Sequence, residues 1–249
     1  NFRPGVIERQ GFGYADVRAL NPGVVYGSIS GYGEDGPWVD LPGQDLLAQA
    51  RSGLLWLTGS AGDPPMPMGL AAADMMAGNA LAQGVLAALV RKARTGEGGL
   101  VQTSLLEALL DFQFEVLTTH LNDGGRLPQR SAVNGAHAYL GAPYGVYRTA
   151  DGWLALAMTP SLERLATLLG LSGLDPWFHD PRQAMRDRDA IKAMVDGHYG
   201  SQDCATYTDI RHFLAERTDL DAVLIATGAV MNLAFRGHGF PWLAVSLAI

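Results

Sequence analysis

The hydrophobic pattern of this chain changes period several times, and each change predicts an element. Residues 24–30, Val-Val-Tyr-Gly-Ser-Ile-Ser, run apolar and β-branched with no helical spacing and predict a buried strand. A helix is expected before it, over residues 9–20, stopped by Asn21-Pro22. The strand runs into Gly31-Tyr-Gly33-Glu-Asp-Gly36-Pro37, a loop rich in residues that tolerate unusual backbone angles. Helical spacing resumes over residues 44–57, and residues 59–67 form a Gly/Pro loop. The longest periodic stretch, residues 71–94, closes on Arg91, Lys92 and Arg94 and exits through Gly96-Glu-Gly98-Gly99, as suits a helix C-terminus. Residues 100–103 read as a short strand. Ser104-Leu-Leu-Glu107 is a capping box that opens a helix to His120.

This alternation predicts an α/β fold. Residues 122–142 are polar, glycine-rich and without period, and are expected to be a linker. Beyond it, residues 143–158 predict two strands around Thr149-Ala-Asp-Gly152, with helices over 161–169 and 181–199. The expected organisation is therefore a large domain over 1–121, a small α+β domain over 143–205 and an atypical tail over 206–249.

Composition narrows the function. The chain has 249 residues, 48% of them hydrophobic and 17% charged, so a sizeable core can form. The net charge of −7 comes with no basic run, which argues against a nucleic-acid surface. A single cysteine, Cys204, excludes a disulfide framework and a cysteine-rich metal site, and leads us to expect a reducing, cytoplasmic setting. No His/Asp/Glu spacing suggests a metal, and no apolar run is expected to span a membrane. The chain opens on Asn1 in mid-motif and is expected to be a fragment of a longer protein.

One carboxylate stands out. Asp74 is the only acid in Gly69-Leu-Ala-Ala-Ala-Asp74-Met-Met-Ala-Gly78. Such surroundings are expected to solvate it poorly and make it a candidate nucleophile. The competing reading is a helix N-cap.

Several segments together resemble the class III CoA-transferases, the CaiB/BaiF family that includes formyl-CoA and carnitine CoA-transferases. They are Asn1-Phe-Arg-Pro-Gly5, Ser28-Ile-Ser-Gly-Tyr-Gly33, Gly36-Pro37, Pro42-Gly-Gln-Asp45, the Asp74 segment, Arg94-Thr-Gly-Glu-Gly98, and Pro143-Tyr144 with Ala150-Asp-Gly152. The resemblance implies part of a Rossmann-like, CoA-binding large domain joined to a smaller α+β domain. It also implies that Asp74 attacks an acyl-CoA thioester, forming an aspartyl anhydride and then an aspartyl-CoA thioester. Asp45 matches a position where an acid assists in some relatives; otherwise it is a carboxylate favoured at a helix N-terminus. Asn1, Phe2, Arg3 and Arg9 match the loop holding the nucleotide end of CoA, and Leu41, Pro42 and Gly43 match a loop beside the pantetheine arm. For Arg3 and Arg9 the competing reading is solvated surface charge.

The resemblance further implies no permanently bound cofactor, coenzyme A thioester as substrate, a carboxylic acid acceptor, and an interlocked homodimer in the full-length protein. Gln44 stands where the racemases of the same fold carry a proton-transferring His, and an amide cannot exchange a proton near neutral pH. An acyl-CoA racemase or epimerase and an inactive CoA-binding remnant remain the alternatives. After about Thr206 the likeness ends, and residues 220–228 resemble a strand from the dinucleotide domain of glucose–fructose oxidoreductase-like dehydrogenases, or simply any buried parallel strand.

Overall fold

The computed structural model describes residues 2–133, 135, 137–148, 153–157, 161–199, 223–227 and 242–247. The chain divides into two compact units, Asn1–Thr58 with Pro64–Leu127, and Gly59–Asp63 with Pro128–Ile249.

In the first unit the apolar run becomes β1 (Val25–Ser30) and pairs in parallel with β2 (Gly99–Ser104). A parallel pair needs a crossover, and the longest element of this one is a single helix over Ala72–Thr95. Its cationic last turn and the left-handed Gly96 that follows end it where the sequence predicts.

Three of the helices expected in this unit are broken. Within the stretch 9–20, Arg9 ends a separate short helix, α1 (Val6–Arg9), residues 10–13 are not helical, and only α2 (Tyr14–Leu20) matches the expectation. The stretch 44–57 gives α3 (Asp45–Arg51) and α4 (Leu54–Leu57), because Gly53 between them takes φ 83°, a left-handed angle that ends a helix. The long helix Ala72–Thr95, α5, packs against β1, β2 and α3. It also packs against α6 (Leu105–Phe112), whose N-terminus Ser104 caps by accepting the Glu107 N–H at 3.1 Å. Gln113 separates α6 from α7 (Phe114–Asn122). The core gathers Ala48, Leu54, Ala72, Ala73, Ala77, Leu105, Ala108 and Leu109.

The expectation that no apolar run reaches membrane-spanning length is corrected: by length and composition α5 does. Its alanines raise its hydropathy while also letting it press closely onto a sheet and two helices.

The second unit holds β3 (Gly145–Arg148) and β4 (Trp153–Ala157), paired antiparallel as the sequence predicts. The helices are α8 (Leu162–Leu169), α9 (Pro181–Arg186) and α10 (Arg188–Tyr199), the last two separated at Asp187 within one expected helix. In the tail, β5 (Val223–Thr227) and β6 (Trp242–Leu247) join the sheet in the order β3-β4-β6-β5. The strand expected within residues 220–228 is found as β5, Val223–Thr227, but its partner β6 runs antiparallel to it, so the parallel-strand expectation is corrected.

The stretch expected as a linker is shared between the units. Residues 122–127 cluster with the first and residues from Pro128 with the second, where Gly135 bridges Gly145. Residues 59–63 join the second unit because Ala61 donates its N–H to the Ser131 carbonyl at 2.8 Å and Arg130 donates to the Asp63 carbonyl.

Candidate active site

The first unit contains a cleft of about 450 Å³ lined by residues from five parts of the chain. Phe2, Arg3 and Pro4 come from the N-terminus; Ile29, Ser30 and Gly31 from the end of β1; Val39, Leu41, Pro42, Gly43 and Gln44 from the loop into α3; Asp74 and Leu105 from the first turns of α5 and α6.

The cleft follows from where the elements end. β1 stops at Ser30, whose buried hydroxyl accepts the Gly33 N–H at 2.9 Å and turns the chain. The Gly31 carbonyl accepts the Leu106 N–H at 3.2 Å, tying the strand end to the first turn of α6. Gly31 and Gly43 then cross backbone to backbone, where a Cβ on either would run into the other's Cα. The loop between them is held by Tyr32, whose hydroxyl donates to the Pro42 carbonyl at 3.1 Å. The Arg51 guanidinium lies 4.6 Å from the Trp38 ring centre and 5.1 Å from that of Tyr32.

Asp74 occupies the third position of α5 and faces the cleft. It does not cap the helix: the N-cap position is Ala71, with no side-chain cap bond. The expectation of a poorly solvated acid is corrected. Ala72, Ala73 and Ala77 are buried, but helical rotation turns them into the core while Asp74 and Met75 (60% accessible) are exposed. The apolar neighbours thus hold the helix down rather than enclosing the carboxylate. Among the described residues none hydrogen-bonds or ion-pairs with that carboxylate. The helix N-terminus favours negative charge at this spot.

The missing cap comes from Asp45. One carboxylate oxygen accepts the Ala73 N–H at 2.7 Å and the Asp74 N–H at 3.3 Å. The other accepts from Gln49 Nε2 at 2.6 Å. Both oxygens serve as acceptors, so Asp45 is employed in holding the first turn of α5. Gln44 takes an extended conformation as the N-cap residue of α3, exposed and lining the cleft with Asp74.

Of the residues expected to bind CoA, Phe2, Arg3, Leu41, Pro42 and Gly43 share the cleft. Arg9 ends α1, is exposed and is not among the cleft-lining residues. Asn1 lies outside the described residues. Sequence reasoning missed Ile29, Val39 and Leu105 as lining residues and Arg51 and Gln49 as supports. The signal that could have found part of this set was the motif over residues 28–33, which contains Ile29, Ser30 and Gly31. Among the described residues no group of three or more His, Cys, Asp or Glu is arranged to hold a metal ion.

The match of residues 1–214 to the profile described as CoA-transferase family III places the chain: it belongs to that family. It is 31% identical over 217 residues to the acetyl-CoA:oxalate CoA-transferase of Acetobacter aceti, covering 85% of this chain and 55% of that protein. It is 36% identical over 179 residues to the succinate–glutarate CoA-transferase of Agrobacterium fabrum, covering 70% of this chain and 43% of that protein. Among solved structures, a CaiB/BaiF family protein from Brucella suis superposes with a TM-score of 0.68 at 28% identity, covering 86% of this chain and 56% of that one. The chain spans about half the length of the curated relatives it matches.

Proposed function

We propose that the protein to which this chain belongs moves CoA from an acyl-CoA donor to a carboxylic acid, with Asp74 as covalent nucleophile. The observation that carries this is the placement of an exposed carboxylate without a described ion-pair partner at the start of α5, on a cleft it shares with Phe2, Arg3, Leu41, Pro42, Gly43 and Gln44. Membership of the family supports it.

In this reading an Asp74 oxygen attacks the thioester carbon, the C–S bond breaks, and CoA thiolate leaves a mixed anhydride. The thiolate then attacks the aspartyl carbonyl, releasing the donor acid and forming an aspartyl-CoA thioester. The acceptor carboxylate attacks that thioester, giving a second anhydride and free thiolate. Attack of the thiolate on the acceptor acyl carbon forms the new acyl-CoA and returns Asp74 as carboxylate. Arg3 pairs with CoA phosphate and Phe2 stacks on the adenine. Asp45 keeps the helix turn in place. No resident cofactor is needed by this sequence of steps.

The racemase alternative lacks its second proton carrier, since Gln44 fills that position and an amide does not titrate there. Incubation with acyl-CoA, quenching with hydroxylamine and peptide mapping test the proposal. A hydroxamate at Asp74 is expected; a folded sample with no modification at that residue rejects it. Deuterium wash-in at the substrate α-carbon without CoA exchange would instead favour the racemase.

A further inference from the structure

Gln49 stands one helical turn beyond Asp45 on α3 and is only 1% exposed. A buried amide must satisfy its donors and its acceptor inside the protein. Nε2 donates to Asp45 at 2.6 Å and to the Leu70 carbonyl at 3.1 Å. The Gln49 side-chain oxygen accepts the Met68 N–H at 3.2 Å. Asp45 in turn accepts the N–H groups of Ala73 and Asp74. One side chain therefore connects the segment entering α5 with the carboxylate that caps the first turn of α5.

We propose that Gln49 is a positioning residue for the nucleophile: it fixes the Asp45 carboxylate in the rotamer that caps α5, and so sets the direction in which Asp74 meets the cleft. This rests on the reading of Asp74 as nucleophile. The physical need is specific. The first N–H groups of a helix have no partner within the helix, and Ala71 offers no side chain to supply one. Asp45 reaches them from a different helix, and a side chain that bridges two elements holds its place only if its own rotamer is locked. Gln49 supplies that lock with a donor. Its contacts with residues 68 and 70 fix the backbone just ahead of the same turn. Loss of the lock leaves the cleft lining intact, because Gln49 is not among the lining residues.

The test compares the purified protein with Gln49→Leu, which removes all three bonds at similar volume, and Gln49→Glu, which keeps the acceptor for Met68 and turns a carboxylate toward Asp45. The readouts are the rate of acyl labelling at Asp74, CoA affinity by calorimetry, and amide hydrogen exchange at residues 73 and 74. Misplacing a reacting group by about 1 Å costs on the order of 100-fold, so the labelling rate should fall by ~10- to 100-fold in either folded variant. CoA affinity should stay within about threefold of wild type, the signature of lost reaction geometry rather than lost binding. Exchange at residues 73 and 74 should quicken. Wild-type labelling rates in a folded variant overturn the proposal, as does a loss of affinity that accounts for the whole loss of rate. If the unaltered protein shows no label at Asp74, the nucleophile reading itself fails and this role falls with it. If it labels and the variants label equally fast, only the Gln49 role fails. Should neither variant fold, slow exchange at residues 73 and 74 in the unaltered protein supports the lock, and exchange as fast as at Ala71 overturns it.

Discussion

Asp45 accepts the backbone N–H of Ala73 at 2.7 Å across 28 positions of sequence, so the helix that carries Asp74 begins on a side chain from another helix. Removing a helix cap costs about 1 kcal/mol, up to ~2. Asp45→Ala should lower the urea midpoint accordingly and slow acyl labelling of Asp74. Asp45→Asn should fall between, because one amide oxygen can serve either Ala73 or Gln49 but not both. Denaturation of the three proteins followed in parallel checks the order.

Asp74→Asn should abolish CoA transfer while leaving the fold in place. The side chain is exposed, and the helix-terminal charge it contributes is worth only ~0.3–1 kcal/mol. Loss of a covalent nucleophile should reduce turnover by about 1,000-fold or more. Steady-state exchange of CoA between a donor and a carboxylic acid, alongside circular dichroism, separates the two effects.

Gly43→Ala places a methyl group where the Gly31 backbone lies. The two ends of the loop over residues 31–43 must part, which should cost ~1–3 kcal/mol of stability. Acyl-CoA should bind more weakly because Leu41, Pro42 and Gly43 line the cleft. Calorimetric titration with CoA and thermal melting measure both.

Arg51→Ala should loosen the same loop more gently. The guanidinium sits over Trp38 and Tyr32 at an exposed position, where such contacts contribute ~0.5–1 kcal/mol. That corresponds to a rise of roughly two- to fivefold in KM for acyl-CoA, with kcat little changed. Initial-rate kinetics across donor concentration give the split, and Arg51→Lys should recover part of it.

Much of the fold was legible because local chemistry governs it. The Ser104/Glu107 box, the cationic end of α5 with Gly96, and the β-branched run of β1 each act through neighbours a few residues away. The helix breaks at Gly53 and Asp187 were missed because hydrophobic period continues across a residue that the backbone uses to turn. The misjudged solvation of Asp74 has a similar origin. Composition averages over all sides of a helix, and only the packing of α5 decides which side faces the core.

By itself the sequence determined the alternation of strand and helix from α2 to β4, though not β6, the single acid in an alanine-rich helix start, and the motifs shared with one enzyme family, since these depend on residue identity and short spacing. Tertiary structure alone decided that Asp45 and Gln49 hold the turn bearing Asp74, that Gly31 meets Gly43, and that Arg9 is not among the residues lining the cleft. Hydrogen bonds and close contacts between elements distant in sequence leave no periodic trace in the chain, and they form only when burial brings those elements together.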